Sequence, residues 1–217
     1  MKKLIIALVA AASLAPVNVS AKSYAVSEIK SDTFNVKYSY NKDGTLKSFV
    51  ADAGWKAKTS FHYAKGHISY KNAPNGKTTY TYRNGRVIKA KNRNENDTYV
   101  YSKNKITIKS VSKGGIHAEE YIKVKNGKLI EHNGTKYQYD KKGYLKSCGT
   151  NGAVSKYSNS YKNGRLTKVK ETVMSYTPVK TTYTIKYKAV SRLSSEAKKQ
   201  QNAILGKSYL PYLSRFR

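Results

Sequence analysis

The sequence predicts an all-β fold: a long antiparallel meander of β-hairpin repeats, coiled or rolled as a single sheet, with one C-terminal α-helix. Three observations lead there. A Tyr–turn–aliphatic phrase returns about every twenty residues. The segments between turns alternate apolar and polar residues. The last stretch switches to a helical composition with a serine start and a glycine stop.

Residues 1–21 stand apart from this pattern. Met1-Lys2-Lys3 is positive, Leu4 to Leu14 is apolar, and Val19-Ser20-Ala21 offers a small-residue cleavage site. That is the layout of a secretory signal peptide, too short and wrongly flanked for a spanning helix. Cleavage between Ala21 and Lys22 makes the mature chain secreted or periplasmic, and no later apolar run is long enough for a membrane span. Residues 22–190 then form the hairpin-repeat domain, and residues 191–217 the C-terminal helix and basic tail.

Tyr24 to Lys30 alternates weakly and is expected as a first edge strand; Phe34 to Tyr40 alternates strictly. The phrase follows in its long form, Tyr38-Ser39-Tyr40-Asn41-Lys42-Asp43-Gly44-Thr45-Leu46, and returns as Tyr137-Gln138-Tyr139-Asp140-Lys141-Lys142-Gly143-Tyr144-Leu145. Short forms run from Tyr82 to Val87, Val124 to Leu129 and Tyr161 to Leu166, each around Asn-Gly. Weaker copies turn at Lys65-Gly66 and Lys103-Asn104, and Tyr183 to Tyr187 is a degenerate last unit. Asn-Gly marks a two-residue hairpin turn because both central positions need positive φ. The long form adds a turn residue, with glycine in the left-handed position and a bulge behind it.

Either form gives the same pairing: Tyr40 faces Leu46, Tyr82 faces Val87, Tyr139 faces Leu145, Tyr161 faces Leu166. The structural turn residues are therefore Gly44, Gly66, Gly85, Gly127, Gly143 and Gly164. Looser Gly-, Asn- and Pro-containing stretches join the hairpins, so tight turns line one end of the sheet and longer loops the other.

One face then carries Tyr, Phe, Val, Ile and Leu, and the other Lys, Ser, Thr and Asn. A sheet of about 14 to 16 strands with one oily face coils or closes. Inward tyrosine hydroxyls need partners, which predicts a polar-lined, partly hydrated lumen. Ser194 to Leu205 reads as the helix, with Gly206 as its stop, and Tyr209 to Leu213 as an apolar tail covering an open end or the oily face.

Charge is the second large fact. Lys and Arg number 42 against 12 Asp and Glu, a formal net charge of +30. Such a field attracts polyanions. Nucleic acid is not expected as a partner, because stacking on single strands needs rings and amines on one face, and here they segregate. An anionic polymer or glycan at a cell surface suits the lysine face better. Lys37, Lys47, Arg83, Arg86, Lys162 and Arg165, on the wet face around the turns, are the candidate binding residues.

Chemistry is sparsely encoded. Cys148 is the sole cysteine, so no intramolecular disulfide forms, and its alignment with Phe49 in the first long unit points to packing. His62 and His67 flank one turn, both read as wet-face residues, without a third ligand for zinc. Glu119-Glu120 and Glu131-His132 are neighbours along a strand and point to opposite faces. Nucleophile-elbow, zinc-protease and phosphate-loop motifs are absent from the sequence. No catalytic, cofactor-binding or metal-ligating residues are assigned, and a non-enzymatic protein is expected. Two alternatives stay open: a secreted scaffold that self-associates through its sheet edges, and a hydrolase with a loop-borne site.

At the two long units the phrase Tyr-x-Tyr-Asp/Asn-x-x-Gly-x-Leu resembles the YD repeat of Rhs-type proteins. It is carried by Tyr137, Tyr139, Asp140, Gly143 and Leu145, and by Tyr38, Tyr40, Asn41, Gly44 and Leu46. The chain reads as a short, divergent relative of that family. The resemblance implies antiparallel sheets that spiral into shells, and a role in scaffolding, encapsulation or surface carbohydrate binding.

Overall fold

The computed structural model describes residues 22–150, 153–174 and 176–213; the expected signal peptide lies outside them. The first half comprises β1 Ser23–Lys30, β2 Asn35–Tyr40, β3 Leu46–Asp52, β4 Lys56–Ala64, β5 His67–Ala73, β6 Gly76–Arg83, β7 Arg86–Lys91 and β8 Glu95–Tyr101. The second comprises β9 Lys105–Ser112, β10 His117–Lys125, β11 Lys128–His132, β12 Thr135–Tyr139, β13 Leu145–Gly149, β14 Val154–Lys162, β15 Arg165–Met174 and β16 Val179–Val190. Helix α1, Ser195–Ile204, ends the fold.

Every strand pairs with its sequence neighbours, and β1 also pairs with β16, closing the meander into an antiparallel barrel. The segment expected as an edge strand is therefore the seam, with Ser23–Lys30 laid along β16 and Glu28–Lys30 along β2. Closure also corrects the expected self-association through sheet edges. A wide sheet with one apolar face curls until its first and last strands meet, and that contact pairs the N–H and C=O groups an edge would leave open.

The cross-strand partners read from the repeat are those observed. Tyr40 pairs with Leu46, Tyr82 with Val87, Tyr139 with Leu145 and Tyr161 with Leu166. The weaker copies obey the same frame: Tyr63 with Ile68, Tyr101 with Ile106 and Val124 with Leu129. All six turn glycines have positive φ, and in the short turn Asn84 and Gly85 take φ of 50° and 70°.

Gly44 is constrained twice. Its φ is 79°, and a Cβ there would lie 2.5 Å from the Arg192 carbonyl oxygen, whereas a Cβ on Gly85 meets nothing. Gly85→Ala is expected to cost about 1 kcal/mol, the penalty of a left-handed non-glycine residue. Gly44→Ala should cost clearly more, because the segment leading into α1 must also move. Paired urea titrations check this, and equal losses would show that the Arg192 contact is soft.

A register shift accompanies the short turns as well as the long ones, falling just before Tyr63, Tyr82 and Tyr161 as it does before Tyr40 and Tyr139. A bulge interrupts the ladder and leaves backbone groups unpaired. Tyrosines of neighbouring units supply the missing donors. Tyr63 Oη donates to the Leu46 carbonyl at 2.6 Å, Tyr101 to Val87 at 2.8 Å, Tyr139 to Leu129 at 2.7 Å and Tyr187 to Leu166 at 2.8 Å. This lacing of ring to backbone gives these four phenols the partners that inward tyrosine hydroxyls need. Tyr82 departs from it, its buried hydroxyl having no partner among the described residues.

Helix α1 begins as expected, with Ser194 Oγ accepting from the Ala197 N–H at 3.2 Å, and ends before Gly206 at φ 70°. It spans the tight-turn mouth of the barrel. The Ser194 N–H donates to the Asp43 carbonyl on one side, and the Tyr209 N–H to the Gly127 carbonyl further round. Its anchors are polar: Gln200 and Gln201 are buried, and their Oε1 atoms accept the Leu46 and Val26 N–H groups at 2.8 Å each. Ile204, Leu210 and Leu213 pack beside them onto the core of Val36, Leu46, Phe49, Phe61, Ile68 and Val87.

Candidate functional site

The outer wall of β13–β16 concentrates positive charge. Lys146, Lys156, Lys162, Lys168, Lys170, Lys180 and Lys186 are all exposed there. Cross-strand neighbours explain how the sheet tolerates them. Lys168 lies between Ser160 and Thr184, Lys170 between Ser158 and Thr182, and Lys156 between Ser147 and Thr172. Like charges directly opposite each other destabilise a sheet, and hydroxyl neighbours avoid that. Glu28 at the β1 margin reaches Lys186 at 2.7 Å. That hydrogen bond holds the Glu28 carboxyl below the usual range, against the opposing effect of burial.

Of the residues singled out from sequence, Lys37, Lys47, Arg83, Arg86 and Lys162 are exposed, and Arg165 is half-buried. They fall in three groups around the barrel. Lys37 and Lys47 lie on β2 and β3, Arg83 pairs with Arg86 across the β6–β7 turn, and Lys162 pairs with Arg165 across the β14–β15 turn. Two of the arginines are engaged by rings. The Arg165 guanidinium sits 3.7 Å from the centroid of Tyr24, and that of Arg86 5.4 Å from Tyr101. Lys128 over Tyr139 and Lys142 over Tyr161 extend the same cation–π pattern around the tight-turn rim.

Inside, the bulge decides which polar groups face the lumen. In the six units that carry a register shift it turns the residue three positions after the aliphatic inward, giving Phe49, Lys71, Ala90, His132, Cys148 and Val169. A bulge-free strand would have put Tyr70 inside; instead Tyr70 is outside, stacked on His62 with ring centroids 4.2 Å apart. His67, expected on the wet face, is half-buried and stacks on Tyr82 at 4.8 Å.

Two inward polar networks result that the linear sequence conceals. His132 Nε2 meets Glu120 Oε2 at 2.9 Å across β10 and β11. Glu171 accepts Tyr157 Oη at 3.0 Å and Tyr183 Oη at 3.1 Å, with Cys148 Sγ 3.4 Å from the Tyr157 hydroxyl. Burial and then the neighbouring thiol push the Tyr157 phenol far up, so it stays a protonated donor to Glu171. Closer to the turns, burial pushes the Asp140 carboxyl up, but donors from Tyr161, Tyr144, Asn159 and Lys142 outweigh it and hold it low. Among the described residues, no group of three or more His, Cys, Asp or Glu side chains is placed to hold a metal ion. No described helix is long and apolar enough to cross a membrane.

The loop end carries the other feature. A cavity of about 400 Å³ opens among Phe34, Trp55, Pro74 and Asn92, from four different loops, and runs inward past Phe49, Ala51, Tyr80, Ala90 and Tyr99. Pro211 of the C-terminal tail forms part of its lining, next to Tyr212, whose ring stands edge-on to Tyr80. Trp55, the sole tryptophan, is 65% exposed at the rim. Exposed apolar side chains gather at this end: beyond Trp55 and Phe34 come Met174, Tyr176 and Val179 of the β15–β16 connection, and Ile116 between β9 and β10.

No family model matches the chain, and no curated protein matches it in sequence.

Proposed function

We propose that this chain is an exported, non-enzymatic protein of divergent YD-type hairpin repeats that binds an anionic polymer or acidic glycan at a cell surface through its lysine-covered outer wall. One observation carries the reading: on β14–β16, Lys156, Lys168, Lys170 and Lys180 stand opposite serines and threonines rather than carboxylates. Lysines two apart on one strand are about 7 Å from each other, and neighbouring strands lie about 4.8 Å apart. Exposed amines at that spacing, not neutralised by partners of their own, form a grid for a flexible polyanion. Hydroxyls between them offer hydrogen bonds to sulfate, phosphate or sugar oxygens. The scaffold alternative loses its mechanism, since a closed barrel presents no strand edge to a second chain.

Retention on immobilised dextran sulfate, with uncharged dextran as control, tests the reading. Affinity is expected to fall by orders of magnitude between about 50 and about 200 mM salt, as counterion release requires. The double variant Lys168→Glu/Lys170→Glu should weaken retention at least about tenfold, a change of about 1.4 kcal/mol. Lys89→Glu/Lys91→Glu, exposed on β7 across the barrel from β13–β16, should weaken it less. Absence of retention at low salt, or equal loss from both double variants, would remove the claim for this wall.

A further inference from the structure

We infer that the loop-end rim on either side of the barrel seam is a docking surface for an anionic lipid bilayer. The inference does not rest on the polymer reading, because a different set of side chains carries it. In a closed meander every connection from an odd strand to the next even one lies at the same end. Closure makes β15, β16, β1, β2, β3 and β4 consecutive around the barrel, so three connections from the two ends of the chain become neighbours. Met174, Tyr176 and Val179 stand at the first, Phe34 at the second and Trp55 at the third, and all five are exposed. Apolar residues scattered singly over a surface are ordinary, whereas a contiguous set rimmed by polar groups marks an interaction site. With neighbouring strands about 4.8 Å apart, six of them span about 24 Å, an arc suited to an extended, flat partner.

Two observations select the partner. Tryptophan and tyrosine, both present in the arc, are the side chains that settle at a membrane–water boundary, with the ring at headgroup level. Charge supplies the second. Among the described residues, the exposed charged side chains in these three connections, or within three residues of them on the six strands, are Lys30, Lys37, Lys56, Lys58 and Lys180 against Asp32. Lysines flanking an inserted apolar group lay their stems along it and carry their amines to anionic headgroups. An anionic polymer gains from these lysines and not from the rings, and a second copy of this basic chain gains from the rings while its lysines repel. An anionic bilayer uses both.

The sole tryptophan lies in the arc and reports on it. The full mature chain is mixed with vesicles of phosphatidylglycerol and phosphatidylcholine in equal parts, and separately with vesicles of phosphatidylcholine alone. Co-sedimentation and a blue shift of Trp55 emission are expected with the first and neither with the second. Dextran sulfate should leave the emission unshifted. Tyr176→Ser/Val179→Ser should weaken vesicle binding at least about tenfold, or about 1.4 kcal/mol, and leave retention on dextran sulfate unchanged. Trp55→Ala, on a separate connection, should weaken vesicle binding too, so the result does not hang on the folding of one variant. Val100→Ser, equally exposed but on the wall at β8, should change neither. Failure to bind the mixed vesicles, equal binding to both kinds, or undiminished binding by the folded double variant overturns the inference. A dimer in solution that the double variant dissociates also overturns it, since the arc would then face a second copy.

Discussion

Raising the pH from 10 to 12 is expected to unfold the barrel in one cooperative step. The cause is the tyrosine lacing. Burial pushes the Tyr63 and Tyr187 phenols up to about 12, and it pushes Tyr38, Tyr40, Tyr82 and Tyr161 higher still. In the unfolded chain a tyrosine ionises near 10. Below that pH both states hold the proton, and the full stability is present. Above it the unfolded state loses protons that the folded state keeps, so folding weakens with each further step in pH until the folded phenols ionise too. An ionised phenolate can no longer donate to a carbonyl, and the bulge carbonyls at Leu46 and Leu166 lose their partners. Absorbance at 295 nm, which reports tyrosinate, should rise together with loss of the β-sheet circular dichroism signal. Independent titration of the tyrosines near 10 with the sheet intact would show that the lacing is solvent-open.

Leu46→Ala is expected to cost about 3 kcal/mol, the middle of the range for a buried leucine. The residue is fully buried, faces Tyr40, donates its N–H to Gln200 at 2.8 Å and accepts from Tyr63 at 2.6 Å. Its side chain therefore sits where the sheet, the bulge and α1 meet, and little can collapse into the space it leaves. Lys47→Ala, one residue on and exposed, should change stability by less than about 0.5 kcal/mol. The comparison is read from urea midpoints at constant slope. A loss below about 1 kcal/mol for Leu46 would mean that α1 shifts to refill the gap, and that its glutamine anchors are looser than their distances imply.

Much of the frame is visible in one dimension because it depends on local chemistry. Asn84-Gly85 and the glycine at 44 must turn, since few other residues accept positive φ. The alternation from Phe34 to Tyr40 must bury one face. Helix α1 announces itself through Ser194 and Gly206. These are near-neighbour effects, legible without coordinates.

The bulge was not legible in the short units, and most of the interior follows from it. Periodicity alone places Tyr70 inside and Lys71 outside; one inserted residue reverses them, and likewise brings His132 inward. The Glu120–His132 and Tyr157–Glu171–Tyr183 contacts were hidden for a second reason. Each joins residues on different strands, and only the ladder register specifies the partner. The signal that could have found them is the frame itself, counted three residues beyond each aliphatic partner of the repeat tyrosine.

What the amino-acid sequence determined by itself is therefore the unit: a turn, a ring opposite an aliphatic, and lysines alternating onto the wet side. Tertiary structure alone decided closure of β1 on β16, the seat of α1 in one mouth and the cavity in the other. Turn geometry and side-chain alternation are properties of a few adjacent residues. Curvature, by contrast, adds up over all sixteen strands, and its sum fixes whether the two ends meet and how much room stays inside.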